Sequence, residues 1–301
     1  MCSVTFIPQT RGFVVGMNRD ESVDRPIARY PARFVHGHRT AVYPSEVSGG
    51  TWIGVNDAGL CAALINWYAI ERRADAGQVG SRGRVVPALM AAGTIFECSM
   101  ALANLALKGT APFRLIVFSL RDQRVTEWRW DQDRLTEHTH RWAPRHWFSS
   151  GFDEPMAKHE RGRTSRAAWQ EPDAGGLRWL RGLHASHGPA RGPFSLCMHR
   201  DDAHTVSYSE VIVGRDESSL RYHDGPPCSS QGRMSVHKLF LADPCKDAAA
   251  RPTNRQHLIA HENARLTLQS PRRQVLSDRL SPCGARFRDA RRGPRPDPAH
   301  V

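Results

Sequence analysis

Cys2 directly follows the initiator methionine, and the run Asn18-Arg19-Asp20-Glu21 comes soon after it. Initiator methionine is removed when the next side chain is small, and cysteine qualifies. Removal would leave a thiol and a free α-amine on one residue. The amine titrates at roughly 7.7–8.0 and a free thiol near about 8.5. One residue would then supply both a nucleophile and an adjacent base. A bland use of the same residue is the commoner one: a small buried hydrophobe whose Met1 stays in place. Further along, Cys197-Met198-His199-Arg200-Asp201-Asp202 gathers ionisable groups ahead of a strand. His199 or Arg200 there could face a pocket and bind a substrate carboxylate, or the segment could be a surface loop. His36-Gly37-His38 and His138-Thr139-His140 have metal-capable spacing on strands, but neither has Cys or carboxylate partners in the usual patterns, so a zinc site is not expected. Walker, dinucleotide-binding and Gly-x-Ser-x-Gly motifs are lacking.

The elements that must position these residues alternate hairpins with short helices. Ser3–Ile7 and Gly12–Met17 are β-prone runs joined by Pro8-Gln9-Thr10-Arg11. Thr51–Val55 and Leu60–Ile65 flank the turn sequence Asn56-Asp57-Ala58-Gly59. Val85–Ala92 reads as a helix with Pro87 in its first turn, and Thr94-Ile95-Phe96-Glu97 has capping-box spacing before a second. Strands are expected at Phe113–Leu120, Val125–Trp130, Leu135–His138, Arg145–Ser150, Val206–Val213 and Leu220–His223. Helices are expected at Glu154–Gln170 and Leu177–His184. Strands, then helices, then strands argue for a layered α+β fold.

The chain has 301 residues and a formal charge of +12. From Ser229 onward it holds 12 Arg and 2 Lys against 5 Asp and 1 Glu, a net +8, which leaves +4 for residues 1–228. A globular domain over 1–228 followed by a basic, low-order tail over 229–301 is therefore expected, with Gly225-Pro226-Pro227 as the terminator. Within the tail only short pieces, such as His237–Leu241 and His257–Leu268, look helical. The tail lacks stacking aromatics, so nucleic acid is not the expected partner. No apolar run reaches the ~18 residues of a membrane span. The first residues lack the basic and apolar regions of a secretory signal, so the expected location is cytoplasmic. Seven scattered cysteines without a CxxC pair favour neither a zinc ribbon nor a disulfide framework.

Met1-Cys2, Gly16-Met17-Asn18-Arg19-Asp20-Glu21, Arg25-Pro26, Gly49-Gly50-Thr51-Trp52-Ile53-Gly54 and Leu64-Ile65-Asn66 occur in that order. Ser81-Arg82-Gly83, Trp147-Phe148-Ser149-Ser150 and Cys197-Met198-His199-Arg200 with Thr205-Val206-Ser207 follow. Over about residues 1–228 this set resembles the NRDE family, also called the transport-and-Golgi-organisation family, which is similar to the cysteine N-terminal-nucleophile hydrolases. The resemblance implies a four-layer αββα sandwich of two antiparallel sheets flanked by helices. It implies a catalytic set of Cys2 as nucleophile, Arg19 lowering its pKa by charge, Asp20 anchoring the α-amine or Cys2, and Asn66 donating to an oxyanion. Asn18, Trp52 and His199 are the expected substrate contacts. A structural alternative stands beside each: a salt-bridge corner for Arg19-Asp20-Glu21, a turn cap for Asn66, core packing for Trp52, and a tight turn for Gly49-Gly50. Arg19 and Asp20 are adjacent, and neighbours on a strand face opposite ways. Both reach one site only if the chain bends or one of them acts indirectly. The implied activity is hydrolysis of an amide or thioester of a small-molecule substrate, without a cofactor. The alternative is non-catalytic handling of a lipid, acyl-coenzyme A or haem.

Overall fold

The computed structural model describes residues 2–73 and 80–242. In chain order its strands and helices are β1 (Cys2–Gln9), β2 (Gly12–Ser22), β3 (Arg29–His36), β4 (Arg39–Ser45), β5 (Ile53–Asn56), β6 (Leu60–Asn66), α1 (Val85–Leu89), α2 (Ile95–Ala103), β7 (Phe113–Ser119), β8 (Arg124–Trp130), β9 (Leu135–His140), β10 (Arg145–Ser149), α3 (Glu154–Ala168), α4 (Leu177–Ala185), β11 (Ala203–Val213), β12 (Glu217–Asp224) and β13 (Met234–Phe240). One sheet has six strands in the order β10-β1-β2-β11-β12-β13, and the other has seven in the order β3 to β9. Every pairing between these strands is antiparallel.

Side-chain alternation along each strand sorts the core into layers. Val4, Phe6, Phe13, Val15 and Met17 of the first sheet meet Ile53, Val55, Ile65, Ile116 and Phe118 of the second. The opposite face of the seven-stranded sheet carries Leu60, Ala62, Leu64, Leu115 and Val117 against α1 and α2. The opposite face of the six-stranded sheet carries Ile7, Val14 and Phe148 against Trp179, Leu180 and Leu183 of α4. The result is a four-layer αββα sandwich, as the sequence motifs imply.

Local chemistry accounts for the ends of these elements. Thr94 caps α2 by accepting from the Glu97 N–H at 3.2 Å, while the Glu97 carboxylate accepts from the Gly93 N–H at 2.5 Å. Asp153 caps α3 through the Met156 N–H at 2.9 Å. Asn56 Oδ1 accepts from the N–H groups of both Ala58 and Leu60, and Gly59 takes φ +71°, so β5 and β6 close as a hairpin.

β3 and β4 form a hairpin that the sequence pattern does not announce, because β3 is a polar edge strand with little alternation to read. One expected boundary is corrected. β13 pairs with β12 beyond the boundary expected at residue 228, so the first sheet continues to Phe240, and His237–Leu241 is largely strand rather than helix. The other helical expectation, residues 257–268, lies outside the described residues. No helix among the described residues is long and apolar enough to cross a membrane.

Candidate functional site

Cys2 opens β1 and lies between β10 and β2, opposite Ser149 on one side and Arg19 on the other. Directly opposed residues share a face of a sheet, so Cys2 and Arg19 both point into the space between the sheets. The Arg19 guanidinium lies 4.3 Å above the ring of Trp52, which is itself buried. It is held further by Glu21 at 3.1 Å and Glu46 at 3.0 Å, and Arg25 bonds to the same Glu46 at 2.9 Å. Arg19 is therefore fixed by a ring and two carboxylates, at the wall of a cavity of about 240 Å³ that Glu21, Arg25, His204, Tyr222 and Asp224 also line.

The loop after β4 and the turn at residues 82–84 are docked on each other next to β5. Gly49 takes φ +86° within a tight turn, and Gly50 meets Gly83 so closely that a Cβ on either would sit 2.8 Å from the other's Cα. The Thr51 N–H donates to the Gly83 carbonyl at 2.9 Å. Gly49-Gly50 thus serves both a turn and a close approach, which docks the 3-10 turn Arg82–Arg84 beside the entrance to β5. Arg82 is largely desolvated there, and the Tyr68 hydroxyl, the Cys2 thiol and Glu21 lie within its electrostatic reach.

The main-chain nitrogen of Cys2 donates to Ser149 Oγ at 3.1 Å. The main-chain N–H of Asp20 is near enough to the Cys2 sulfur to favour its thiolate. Burial pushes the thiol pKa up; the positive amino terminus pulls it down, the Asp20 carboxylate adds to the rise, and Arg19 and the Asp20 N–H oppose it. The net direction is upward, so in this state the thiol is protonated at neutral pH.

Asp20 turns its side chain away from Cys2. Ser3, Asn18 and Asp20 share the other face of the sheet, under α3 and α4. Asp20 Oδ1 accepts from Thr205 Oγ1 at 2.7 Å, and Oδ2 pairs with Arg161 of α3 at 3.4 Å. Arg161 also donates to Ser3 Oγ at 3.0 Å, and its side chain and that of Asp20 are wholly buried. A register shift in β11 between Thr205 and Ser207, opposite Asp20 and Arg19, turns Thr205 onto the carboxylate. Asp20 therefore touches Cys2 through its backbone and braces the strand from behind.

The chain matches the family described as Transport and Golgi organisation 2 over residues 1–174. It belongs to that family. No curated protein matches it. Among solved structures, penicillin V acylase from Agrobacterium tumefaciens is similar at 13% identity and TM-score 0.47, over 80% of this chain and 92% of that one. A mutant conjugated bile acid hydrolase from Clostridium perfringens is similar at 10% identity and TM-score 0.46, over 80% of this chain and 97% of that one.

The segment matched to the Transport and Golgi organisation 2 family contains Cys2, Arg19, Asp20, Trp52, Asn66, Arg82, Ser149 and Arg161. Asn66, the last residue of β6, donates its amide to the Tyr68 hydroxyl at 2.7 Å, and Tyr68 is within electrostatic reach of Arg82. Asn18 does not face the cavity. Its amide donates to the carbonyls of His184 and Leu196 at 2.9 and 2.8 Å, and its Oδ1 meets His184 Nδ1. It is a buried clasp for α4 rather than a substrate contact. Trp52 is the platform beneath Arg19 and has little exposed surface of its own. His199 lies elsewhere, with its Nε2 3.2 Å from His187 Nε2, 3.6 Å from Cys197 Sγ and 3.4 Å from Cys228 Sγ. The ligand-type atoms of these four residues all lie within 4.8 Å of one another. Cys197 and His199 come from one segment, and His187 and Cys228 join them from two others, so the group of four has no single sequence motif. The two His-x-His pairs do not contribute: His36 bonds to Tyr43 and His140 to Glu127. Sequence reasoning assigned no role to Ser149, although its motif was visible, and had no signal for Arg161 in an arginine-rich helix.

Proposed function

We propose that this protein is an N-terminal-cysteine hydrolase that cleaves an amide, or a thioester, of a small molecule. The observation that carries the reading is the position of Cys2: its main-chain nitrogen bonds to Ser149 Oγ, and it lies directly opposite Arg19 on the neighbouring strand. Family membership and the resemblance to cysteine N-terminal-nucleophile hydrolases support it.

Removal of Met1 would turn that nitrogen into an amine beside its own thiol, with Ser149 as acceptor for one N–H. The amine then takes the thiol proton, and the sulfur attacks the substrate carbonyl. The Asn66 amide, released from Tyr68, and Arg82 are the candidate donors to the oxyanion. The amine passes its proton to the leaving nitrogen as the C–N bond breaks. Water attacks the resulting thioester, returning the free acid and the thiol. Arg19 favours the thiolate by charge, and Trp52 with Glu21 and Glu46 keeps it from swinging away.

Intact-mass measurement of the untagged protein tests the first requirement, and the rate of iodoacetamide addition at neutral pH tests the second. The expected outcome is loss of Met1 and rapid alkylation confined to Cys2. Replacing Arg19 by Ala should slow the reaction about tenfold, the effect of a one-unit rise in thiol pKa. A retained Met1, or a Cys2 that reacts no faster than an ordinary thiol, removes the hydrolytic reading and leaves a ligand-handling role.

A further inference from the structure

The cluster around His199 lies on the far side of Asp20 from Cys2 and beyond the residues matched to the family. His187 follows α4, Cys197 and His199 precede β11, and Cys228 follows β12. We propose that His187, Cys197, His199 and Cys228 form a tetrahedral site of two thiolates and two imidazoles for a zinc ion.

Two observations carry the proposal. The first is the size of the cluster. Zinc sits about 2.3 Å from sulfur and about 2.0–2.1 Å from imidazole nitrogen, so a tetrahedron has edges of about 3.4 Å between nitrogens and about 3.6 Å between nitrogen and sulfur. The edges from His199 Nε2 are 3.2 Å to nitrogen and 3.6 and 3.4 Å to sulfur. The second is hydrogen-bond capacity. One imidazole nitrogen carries either one proton or one lone pair, and so makes one good hydrogen bond. His199 Nε2 faces three partners at bonding distance, which hydrogen bonding alone cannot satisfy. A cation at the centre of the four atoms satisfies all of them at once.

The donor set selects the metal. Two thiolates and two imidazoles suit tetrahedral zinc, and the two negative sulfurs balance its charge. Binding displaces the two thiol protons, so affinity rises with pH. Main-chain bonds already hold the ligands: the Cys197 N–H donates to the Ser186 carbonyl at 3.1 Å, and the His199 N–H to the Gly192 carbonyl at 3.2 Å. One adjustment is required. Arg191 Nη2 lies 3.3 Å from His199 Nδ1, and metal on Nε2 leaves a proton on Nδ1. Arg191 is exposed and can swing into solvent. The site would brace the segment that holds Asp20, because the Met198 N–H donates to Thr205 Oγ1 at 2.8 Å and that hydroxyl donates to Asp20.

The test is titration of the reduced, metal-free full chain with Co²⁺, followed by displacement with Zn²⁺. One equivalent of cobalt should give the strong visible bands of a tetrahedral centre and a thiolate-to-cobalt charge-transfer band, and zinc should abolish both. Cys228 is exposed, so Cys228→Ser can fold normally; it should weaken cobalt affinity at least about tenfold and lower the charge-transfer intensity. Cys2→Ala, Cys245→Ser and Cys283→Ser should leave the spectrum unchanged. The proposal is overturned by an octahedral spectrum without charge transfer, by a tetrahedral spectrum that survives both Cys228→Ser and His187→Ala, or by peptide mapping that finds Cys197 and Cys228 joined in a disulfide in protein isolated with its thiols blocked.

Discussion

Arg19 and Asp20 work on opposite faces of one strand, and their effects on Cys2 have opposite signs. The guanidinium lowers the thiol pKa and the carboxylate raises it, while the Asp20 backbone N–H favours the thiolate. This separates two roles that adjacency in sequence conflates. Asp20→Asn keeps the N–H and removes the unfavourable charge, so alkylation of Cys2 in the folded variant should not slow. The same change leaves the wholly buried Arg161 without its anionic partner. Breaking such a pair costs about 3–5 kcal/mol, to be read as a lower urea midpoint. A variant that keeps full stability but loses thiol reactivity would instead mark Asp20 as a base acting directly on Cys2. The nucleophile and its guanidinium were legible in the sequence because both lie in one short amino-terminal segment. Ser149 and Arg161 were not, because strand register and helix packing bring them in from more than a hundred residues away.

At the scale of elements, the two sheets are joined by a polar tie as well as by apolar packing. Glu127 of β8 is fully buried and accepts from Arg114 at 2.6 Å, Arg129 at 2.8 Å, His140 at 2.7 Å and, across the inter-sheet space, Trp147 of β10 at 3.2 Å. Burial pushes its carboxyl pKa up, but Arg129, Arg114 and His140 outweigh it and hold the group well below the ordinary carboxylate range. Glu127→Ala should cost about 3 kcal/mol, since it strands the mostly buried Arg114 guanidinium, whereas Arg129 can turn to solvent. Equilibrium urea unfolding measures this, and a loss below about 1 kcal/mol would show the tie to be replaceable by water. Strands facing apolar neighbours, such as β1, β2, β6 and β7, were readable from hydrophobic runs. β3 and β13 were not, because each is an edge strand whose exposed positions carry mixed residues. The Cys/His cluster was only half legible: Cys197-Met198-His199 stood out as an ionisable run, but His187 and Cys228 meet it only where the ends of α4, β11 and β12 converge.

At the scale of the whole molecule, a chain of hydrogen bonds fastens the helices to the six-stranded sheet and makes the fold sensitive to acid. Trp169 Nε1 can only donate, and it does so to His146 Nε2 at 2.9 Å. His146 Nδ1 then donates to Thr5 Oγ1 at 2.9 Å, Thr5 donates to His184 Nε2 at 3.0 Å, and His184 Nδ1 donates to Asn18 Oδ1 at 3.1 Å. Each imidazole in this order has one proton and one lone pair in use, so an added proton sets donor against donor. Burial pushes the pKa of His146 down to about 4; burial, with His146 as a second cause, pushes that of His184 down to about 3, both from an ordinary 6.5. The unfolded chain therefore takes up protons first as pH falls below 6.5, and the native state does not follow until near 4 and 3. Stability is complete above about pH 6.5 and should decline on acidification by up to about 1.4 kcal/mol per pH unit for each histidine. Glu127 cannot cause a loss between pH 6.5 and 5, because an unfolded carboxylate is still ionised there. Urea midpoints at pH 7.5, 6 and 5 should therefore fall steadily, and His146→Gln, which can accept from Trp169 and donate to Thr5, should remove part of the slope. A midpoint that stays flat from pH 7.5 to 5 would mean that water reaches these rings and that the relay does not hold the layers together.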